Sequence, residues 1–306
     1  MNVDLSVDIG GIHLANPVLV ASGTFGYGEE YSNYIDVKQL GGIVTKSISY
    51  RARPGNPPPR IVETPAGMLN TIGLANVGVE RFIEEKLPFL RSLGVPIIVN
   101  VACSTVDEYA DVAAFLNECA DVAGIEVNIS CPNVEREGMT FGSDPISAHK
   151  VIAAVRRATA FPLIAKLTPN VTDIVTIAQS VVDAGADAIS LINTVVGMAV
   201  DVPTRRPKLA NITGGLSGPA IRPVALAMVW KVVQRVAVPV IGIGGIMTAE
   251  DALEFLITGA KAVQIGTGNF VDPRTSIYVI EGLRVFLEHE HIESISDLIG
   301  SLHTEG

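Results

Sequence analysis

The sequence predicts an α/β chain folded as one closed (β/α)8 barrel of the TIM type, with residues 1–306 forming a single domain. Three observations carry that expectation. Eight short runs, apolar on both faces, alternate with stretches whose apolar residues recur every three or four positions. The 306 residues include 48% hydrophobic and 18% charged side chains, ample for one large core. Polar residues stand directly after the apolar runs, where barrels build their sites. A doubly wound open sheet is the competing arrangement of the same pattern.

The elements follow in order. Val3, Leu5, Val7 and Ile9 alternate ahead of Gly10-Gly11, and Ile12 and Leu14 follow; a glycine pair so placed signals a two-residue hairpin. This N-terminal β-hairpin is expected to cover one end of the barrel. Barrel strands are expected at Pro17–Val20, Gly42–Val44, Pro96–Val99, Ile125–Ile129, Leu163–Ala165, Ala188–Ile192, Val240–Ile243 and Ala262–Ile265. Between them, helical spacing covers Val106–Cys119, Pro145–Arg157, Val171–Ala184, Ala220–Val236 and Ala249–Ile257. Ser104 or Thr105 is placed to cap the first of these, and Gly185 and Gly259 stand where helix C-caps fall. Two long connections, Arg51–Gly78 and Thr194–Pro219, interrupt the rhythm. Both follow the carboxyl ends of strands, and loops of that length in a compact domain are usually functional. From Glu288 on, the tail with His289, His291 and His303 reads as solvated surface.

Composition narrows the function classes. The net charge of −10 and the pI near 5.0 leave no broad basic footprint for a phosphate backbone, so no nucleic-acid partner is expected. Cys103, Cys119 and Cys131 are odd in number and lack metal-ligand spacing, which fits a reducing compartment and no metal site. The segment Met1–Leu5 lacks signal-peptide features, and no run approaches the ~18 consecutive apolar residues of a membrane span. A soluble, cytoplasmic chain is expected.

The stretch Val127-Asn128-Ile129-Ser130-Cys131-Pro132-Asn133 organises the rest. Pro132 biases Cys131 toward extended backbone and cannot itself donate to a ladder, so a buried strand ends here and presents polar side chains. A lone cysteine is ordinarily an inert apolar side chain, so its meaning depends on its neighbours. In a closed barrel those are Ser22 and Thr24, Lys46 and Ser47, Asn100, Asn128, Lys166, and Asn193 and Thr194, each directly after an apolar run. Singly, such residues are surface lysines and turn asparagines. Jointly, lysines and amides with no carboxylate among them describe a site for an electron-rich, anionic ligand. Metal ligands and a Ser/His/Asp arrangement are both missing from the set. Gly244-Gly245 and Gly266-Thr267 follow the seventh and eighth strands, where barrels bind phosphate through backbone N–H groups.

Asn128-Ile129-Ser130-Cys131-Pro132-Asn133 (as Asn-Ile-Ser-Cys-Pro-Asn), Ala21-Ser22-Gly23-Thr24-Phe25-Gly26, Lys46-Ser47, Asn70-Thr71-Ile72-Gly73-Leu74, Gly214-Gly215-Leu216-Ser217-Gly218 and Ile243-Gly244-Gly245-Ile246 together resemble dihydroorotate dehydrogenases. The likeness runs from about Leu5 to Phe286 and is greatest to the catalytic subunit of the family-1 type B enzymes. It implies an FMN barrel that oxidises dihydroorotate to orotate in pyrimidine synthesis. It further implies flavin contacts from Ser22, Lys46, Ser47, Asn100, Asn128, Lys166 and Ile192, with Gly218, Gly244, Gly245, Gly266 and Thr267 around the phosphate. Lys46, Asn70, Thr71, Ile72, Gly73, Leu74, Asn128, Asn193 and Thr194 would hold the substrate, and Cys131 would be the catalytic base. Ala75, where many relatives carry glutamine, and Cys103, where they often carry glycine, depart from the pattern.

The type B resemblance also implies NAD as final acceptor, reached through a partner subunit carrying FAD and a 2Fe–2S cluster, on a homodimer of this chain, as a heterotetramer. The chain has no Gly-x-Gly-x-x-Gly turn between a strand and a helix for NAD, and three cysteines cannot supply four cluster thiolates. The alternatives are a type A relative that reduces fumarate without a partner and a dihydrouridine synthase acting on RNA. A family-2 enzyme is disfavoured by its serine base and membrane segment.

Overall fold

The computed structural model describes residues 3–130 and 140–304. A short antiparallel hairpin, β1 (Val7–Asp8) and β2 (His13–Leu14), opens the chain, with Val7 opposite Leu14. Its turn residues Gly10 and Gly11 have φ of 73° and 93°, the left-handed pair that a two-residue hairpin turn demands. The turn lies against Asp187 and Pro162, so the hairpin covers the amino-terminal end of the barrel.

Next come β3 (Val18–Val20) and β4 (Gly42–Val44), and then a hairpin of β5 (Ile61–Thr64) and β6 (Gly67–Asn70). A broken helix follows, α1 (Val79–Arg81) running through a π-helical segment at Phe82–Lys86 into α2 (Leu87–Ser92). The alternation then proceeds through β7 (Ile97–Val101), α3 (Val106–Leu116), β8 (Val122–Asn128), α4 (Pro145–Ala158), β9 (Leu163–Lys166), α5 (Ile174–Asp183) and β10 (Ala188–Leu191). Four short strands come next: β11 (Val195–Met198), β12 (Val200–Asp201), β13 (Arg206–Pro207) and β14 (Thr213–Ser217). The chain ends with α6 (Arg222–Val233), β15 (Val240–Ile243), α7 (Ala249–Thr258), β16 (Ala262–Ile265), α8 (Gly268–Val271), α9 (Thr275–His289) and α10 (Ile295–Leu298).

Eight of these strands close a parallel barrel in the order β3, β4, β7, β8, β9, β10, β15, β16 and back to β3. The expected (β/α)8 architecture is therefore present, with all eight expected strands in place. Val18, Leu19, Val20, Ile43, Val44 and Ile98 are fully buried, because side chains on one face fill the barrel and those on the other meet the helices. The expected helices also form, and side chains cap the amino termini of α3, α4, α5 and α7. Thr105 rather than Ser104 caps α3 through the Glu108 N–H at 3.2 Å. Thr248 and Asp251 form a reciprocal capping box on α7, which ends at Gly259 in the left-handed conformation.

Three features differ from the sequence reading. The segment Val79–Ser92 and the helix α9 were not expected as helices; they bury Phe82, Leu87, Leu90, Val279 and Leu283 in the barrel's outer layer. The tail after Glu288 is only partly solvated. His289 is exposed, but the Asp4 N–H donates to the Glu293 carbonyl and the Ile295 N–H to the Asp4 carbonyl, both at 2.8 Å, and Ile295 is fully buried. The two long connections are not free loops. Strands β11, β14, β6 and β5 form one antiparallel sheet, in which Asn70 pairs with Gly215 and Leu69 with Leu216. Because both connections leave the carboxyl ends of strands, this sheet stands over that end. Among the described residues, no helix is long and apolar enough to cross a membrane.

Candidate functional site

At the barrel's carboxyl end the interior is polar. Glu126, in mid-β8 and fully buried, accepts four hydrogen bonds: Asn100 Nδ2 at 2.6 Å, Lys166 Nζ at 3.3 Å, Ser190 Oγ at 2.8 Å and Gln264 Nε2 at 2.7 Å. The donors come from β7, β9, β10 and β16, so one carboxylate ties five strands together across the interior. Lys166 also donates to Ser22 Oγ at 3.0 Å, joining the end of β3 to the same network. The expectation of lysines and amides without a carboxylate is thereby corrected. Ser22, Lys166 and Asn100 do converge, but around Glu126. A polar residue two positions before a strand-end residue lies on the same strand face. That spacing, Glu126 before Asn128 and Gln264 before Gly266, was the signal in the sequence.

Two buried acceptors in this cluster have no hydrogen-bond partner among the described residues: Asn100 Oδ1 and Gln264 Oε1. Buried acceptors are rarely left unpaired, and such orphans mark places where another group completes the bonding. The Ser130 hydroxyl, just beyond β8, is likewise unpaired.

A second group gathers at the ends of β8 and β10. Asn193 Nδ2 donates to Asn128 Oδ1 at 3.3 Å, and the Thr194 N–H turns back to Asn193 Oδ1 at 2.8 Å. Asn128 is fixed further by the Ser130 N–H at 3.1 Å and by the Tyr109 hydroxyl on its carbonyl at 2.6 Å. Asn170 braces the same turn, donating to the Thr194 carbonyl and accepting from the Val196 N–H, both at 3.0 Å. From the overlying sheet, Asn70 Nδ2 donates to the Gly215 carbonyl at 3.2 Å, and Thr194 packs against Gly215. Thr71 to Leu74 continue from β6 as a loop held by Asn56, whose Nδ2 donates to the Thr71 carbonyl and hydroxyl at 3.0 and 2.9 Å. Asn76 ties the far end of that loop to Ser49, donating at 2.8 Å to both the Ser49 hydroxyl and the Leu74 carbonyl. Leu74 has a φ of 56°, a left-handed geometry that a leucine holds only when its surroundings fix it. Asn56, Asn76 and Asn170 were not singled out from the sequence, because their partners are recognisable only once the loops are folded.

The glycine pairs form a third group. Gly244 and Gly245 have φ of 138° and 73°, and a Cβ on Gly245 would lie 2.8 Å from both Arg222 Cβ and the Gly218 carbonyl oxygen. Only glycine fits there, and the backbone is left bare. Thr267 Oγ1 donates to Ser217 Oγ at 2.8 Å, so Gly218, Gly245 and Thr267 lie together, with Gly266 next to Thr267.

Beside these groups a cleft of about 570 Å³ is lined by Gly23, Thr24, Tyr31, Lys46, Asn269 and Phe270, among others. The Tyr31 hydroxyl donates to the Thr24 carbonyl at 3.0 Å; burial, with Glu30 nearby, pushes its pKa up to about 12 and keeps it a neutral donor. Lys46 is anchored through its backbone N–H to the Gly26 carbonyl at 2.8 Å, with its side chain half-buried at the cleft. Ser47 is half-buried beside it, and Ile192 is buried at the end of β10. Cys131 lies outside the described residues. A second cavity of about 440 Å³, at the opposite end between α6, α7 and the C-terminal segment, is lined by Trp230, Gly259 and Leu302, with no charged group among the described residues that line it.

The comparisons with known proteins place the whole chain in one family. The family model for dihydroorotate dehydrogenase matches residues 4–287. Two relatives named dihydroorotate dehydrogenase B (NAD(+)), catalytic subunit, from Geotalea uraniireducens and Geotalea daltonii, are each 59% identical. The first alignment covers 98% of this chain and 99% of the relative, the second 98% of both. A relative of the same name from Pelobacter propionicus is 58% identical over 99% of each chain. Matched over almost its whole length, this chain belongs to the dihydroorotate dehydrogenase family.

Proposed function

We propose that this chain binds FMN across the carboxyl-end rim and oxidises (S)-dihydroorotate to orotate, a step of pyrimidine biosynthesis. One observation carries the reading. A floor of lysine and amides, with the unpaired acceptors Asn100 Oδ1 and Gln264 Oε1, adjoins a glycine-lined corner with bare backbone. An electron-poor heteroaromatic ring with N–H donors suits the floor, and a phosphate tail suits the corner. Ser22, Lys46, Ser47, Asn100, Asn128, Lys166 and Ile192 would hold the ring, and Gly218, Gly244, Gly245, Gly266 and Thr267 the ribityl phosphate. FMN, when bound, supplies the hydride acceptor that no side chain offers.

The chain's own residues supply the remaining chemistry. Lys46, Asn128, Asn193 and Thr194 hold the substrate ring, and their N–H and ammonium donors stabilise negative charge as it develops on the carbonyl beside C5. Asn70, with the backbone N–H groups of Ile72, Gly73 and Leu74, receives the substrate carboxylate. Cys131 would take the C5 proton; a free thiol, with a pKa of roughly 8.5, has a useful thiolate fraction near neutrality.

Reducing equivalents pass on to NAD through a second subunit. The relatives' printed names, with NAD(+) and "catalytic subunit", support this, as do three cysteines too few for an iron–sulfur cluster. We assign that subunit FAD and a 2Fe–2S cluster and the assembly a heterotetramer built on a homodimer of this chain, in the cytoplasm. The test is binding. The purified chain should carry equimolar FMN, and orotate should perturb its visible spectrum saturably. A chain that takes up no FMN from excess, or whose flavin ignores orotate, would overturn the proposal.

A further inference from the structure

We propose that Glu126 is a positioning residue that sets the reduction potential of the flavin, by fixing Lys166, Asn100 and Gln264 from beneath and offsetting the lysine's charge. The inference rests on the FMN reading above and assigns a role to a residue outside the proposed cofactor and substrate contacts.

The carboxylate is fully buried and receives four donors, two on each oxygen. Four donors and no acceptor suit the ionised, acceptor-only form. An apolar side chain of similar volume would fill the barrel without the desolvation penalty of a buried ion, so packing alone does not explain Glu126. What the carboxylate does is orient. It holds the Asn100 and Gln264 amides by their NH2 groups, and in both the carbonyl oxygen is the atom left unpaired. It holds Lys166, whose ammonium is shared with Ser22, another of the residues assigned to the flavin.

The electrical consequence follows. Reduction adds negative charge to the flavin, and an uncompensated Lys166 would stabilise that charge strongly in a low-dielectric interior. With Glu126 beside it, at 3.3 Å, the pair is close to neutral. The flavin potential is then lower than Lys166 alone would make it, which eases onward passage of electrons. Ser190 donates to the same carboxylate and partly screens it.

The experiment is an anaerobic redox titration of the FMN-loaded chain against a reference dye, comparing wild type with Glu126→Gln, Glu126→Asp and Ser190→Ala. Glu126→Gln should shift the two-electron equilibrium toward reduced flavin at least tenfold, about 30 mV by the two-electron conversion. Glu126→Asp keeps the charge and should stay within about threefold of wild type. If Glu126→Gln holds no flavin, Ser190→Ala decides: by unscreening the carboxylate it should shift the equilibrium toward oxidised flavin by about threefold. An FMN-loaded Glu126→Gln with an unchanged potential overturns the inference, as does Ser190→Ala with an unchanged potential where Glu126→Gln holds no flavin. A wild-type chain that binds no FMN would overturn the proposed function, and this inference with it.

Discussion

Glu126 and Asn128 stand two positions apart on β8 and so project from the same strand face, one into the barrel floor and one at the rim above it. In the proposed reading, that spacing separates a group that orients from one that contacts. The rim residues were legible because each directly follows an apolar run. The floor was less so: Glu126, Ser190 and Gln264 interrupt apolar runs, the same-face spacing on β8 and β16 is a weak signal, and only closure of the barrel brings the three together. Cys131→Ala should retain FMN, because the residues proposed to hold the flavin do not include it, yet slow flavin reduction by dihydroorotate by about 10²–10⁴-fold, the usual range for a general base. Rapid-mixing spectroscopy reads this directly, and undiminished reduction would remove the thiol from the mechanism. Lys46→Ala should weaken both orotate binding and flavin reduction, whereas Asn70→Ala should chiefly weaken orotate. Spectral titration separates the two, and unchanged dissociation constants in both variants would refute the substrate assignments.

The sheet of β5, β6, β14 and β11 is the least legible element, for a physical reason. Its central pairing joins Asn70 to Gly215, 145 residues apart, and no local periodicity reports a partner so distant. The barrel strands and the five helices α3 to α7 were legible because their patterns are local, and the caps on α3 and α7 fall where side-chain chemistry places them. Asn56→Ala removes two hydrogen bonds that shape the loop after β6. At about 1 kcal/mol of net loop order, orotate should bind roughly fivefold more weakly with FMN content unchanged. Isothermal titration of the holo-chain checks this, and unaltered affinity would show that the loop holds its shape without Asn56. Thr248→Ala, which breaks the α7 capping box, should lower unfolding stability by about 1 kcal/mol. Denaturant unfolding with an unshifted midpoint would contradict the capping role.

At the scale of the whole molecule, the barrel gathers the proposed substrate and cofactor residues on one rim, and its family membership is shown over nearly its full length. Co-expression with a partner carrying FAD and an iron–sulfur cluster should raise NAD reduction at least tenfold over the lone chain, which should reduce fumarate poorly. Efficient fumarate reduction by the lone chain, with no gain on adding the partner, would sink the two-subunit assignment. Beneath that question lies the central claim, that this rim takes a hydride from dihydroorotate onto FMN. Its most direct test is anaerobic addition of dihydroorotate to the purified flavoprotein, with the visible spectrum followed and the product quantified. The oxidised flavin should bleach, with formation of an equimolar amount of orotate. A flavin that dithionite reduces but dihydroorotate leaves fully oxidised would contradict it.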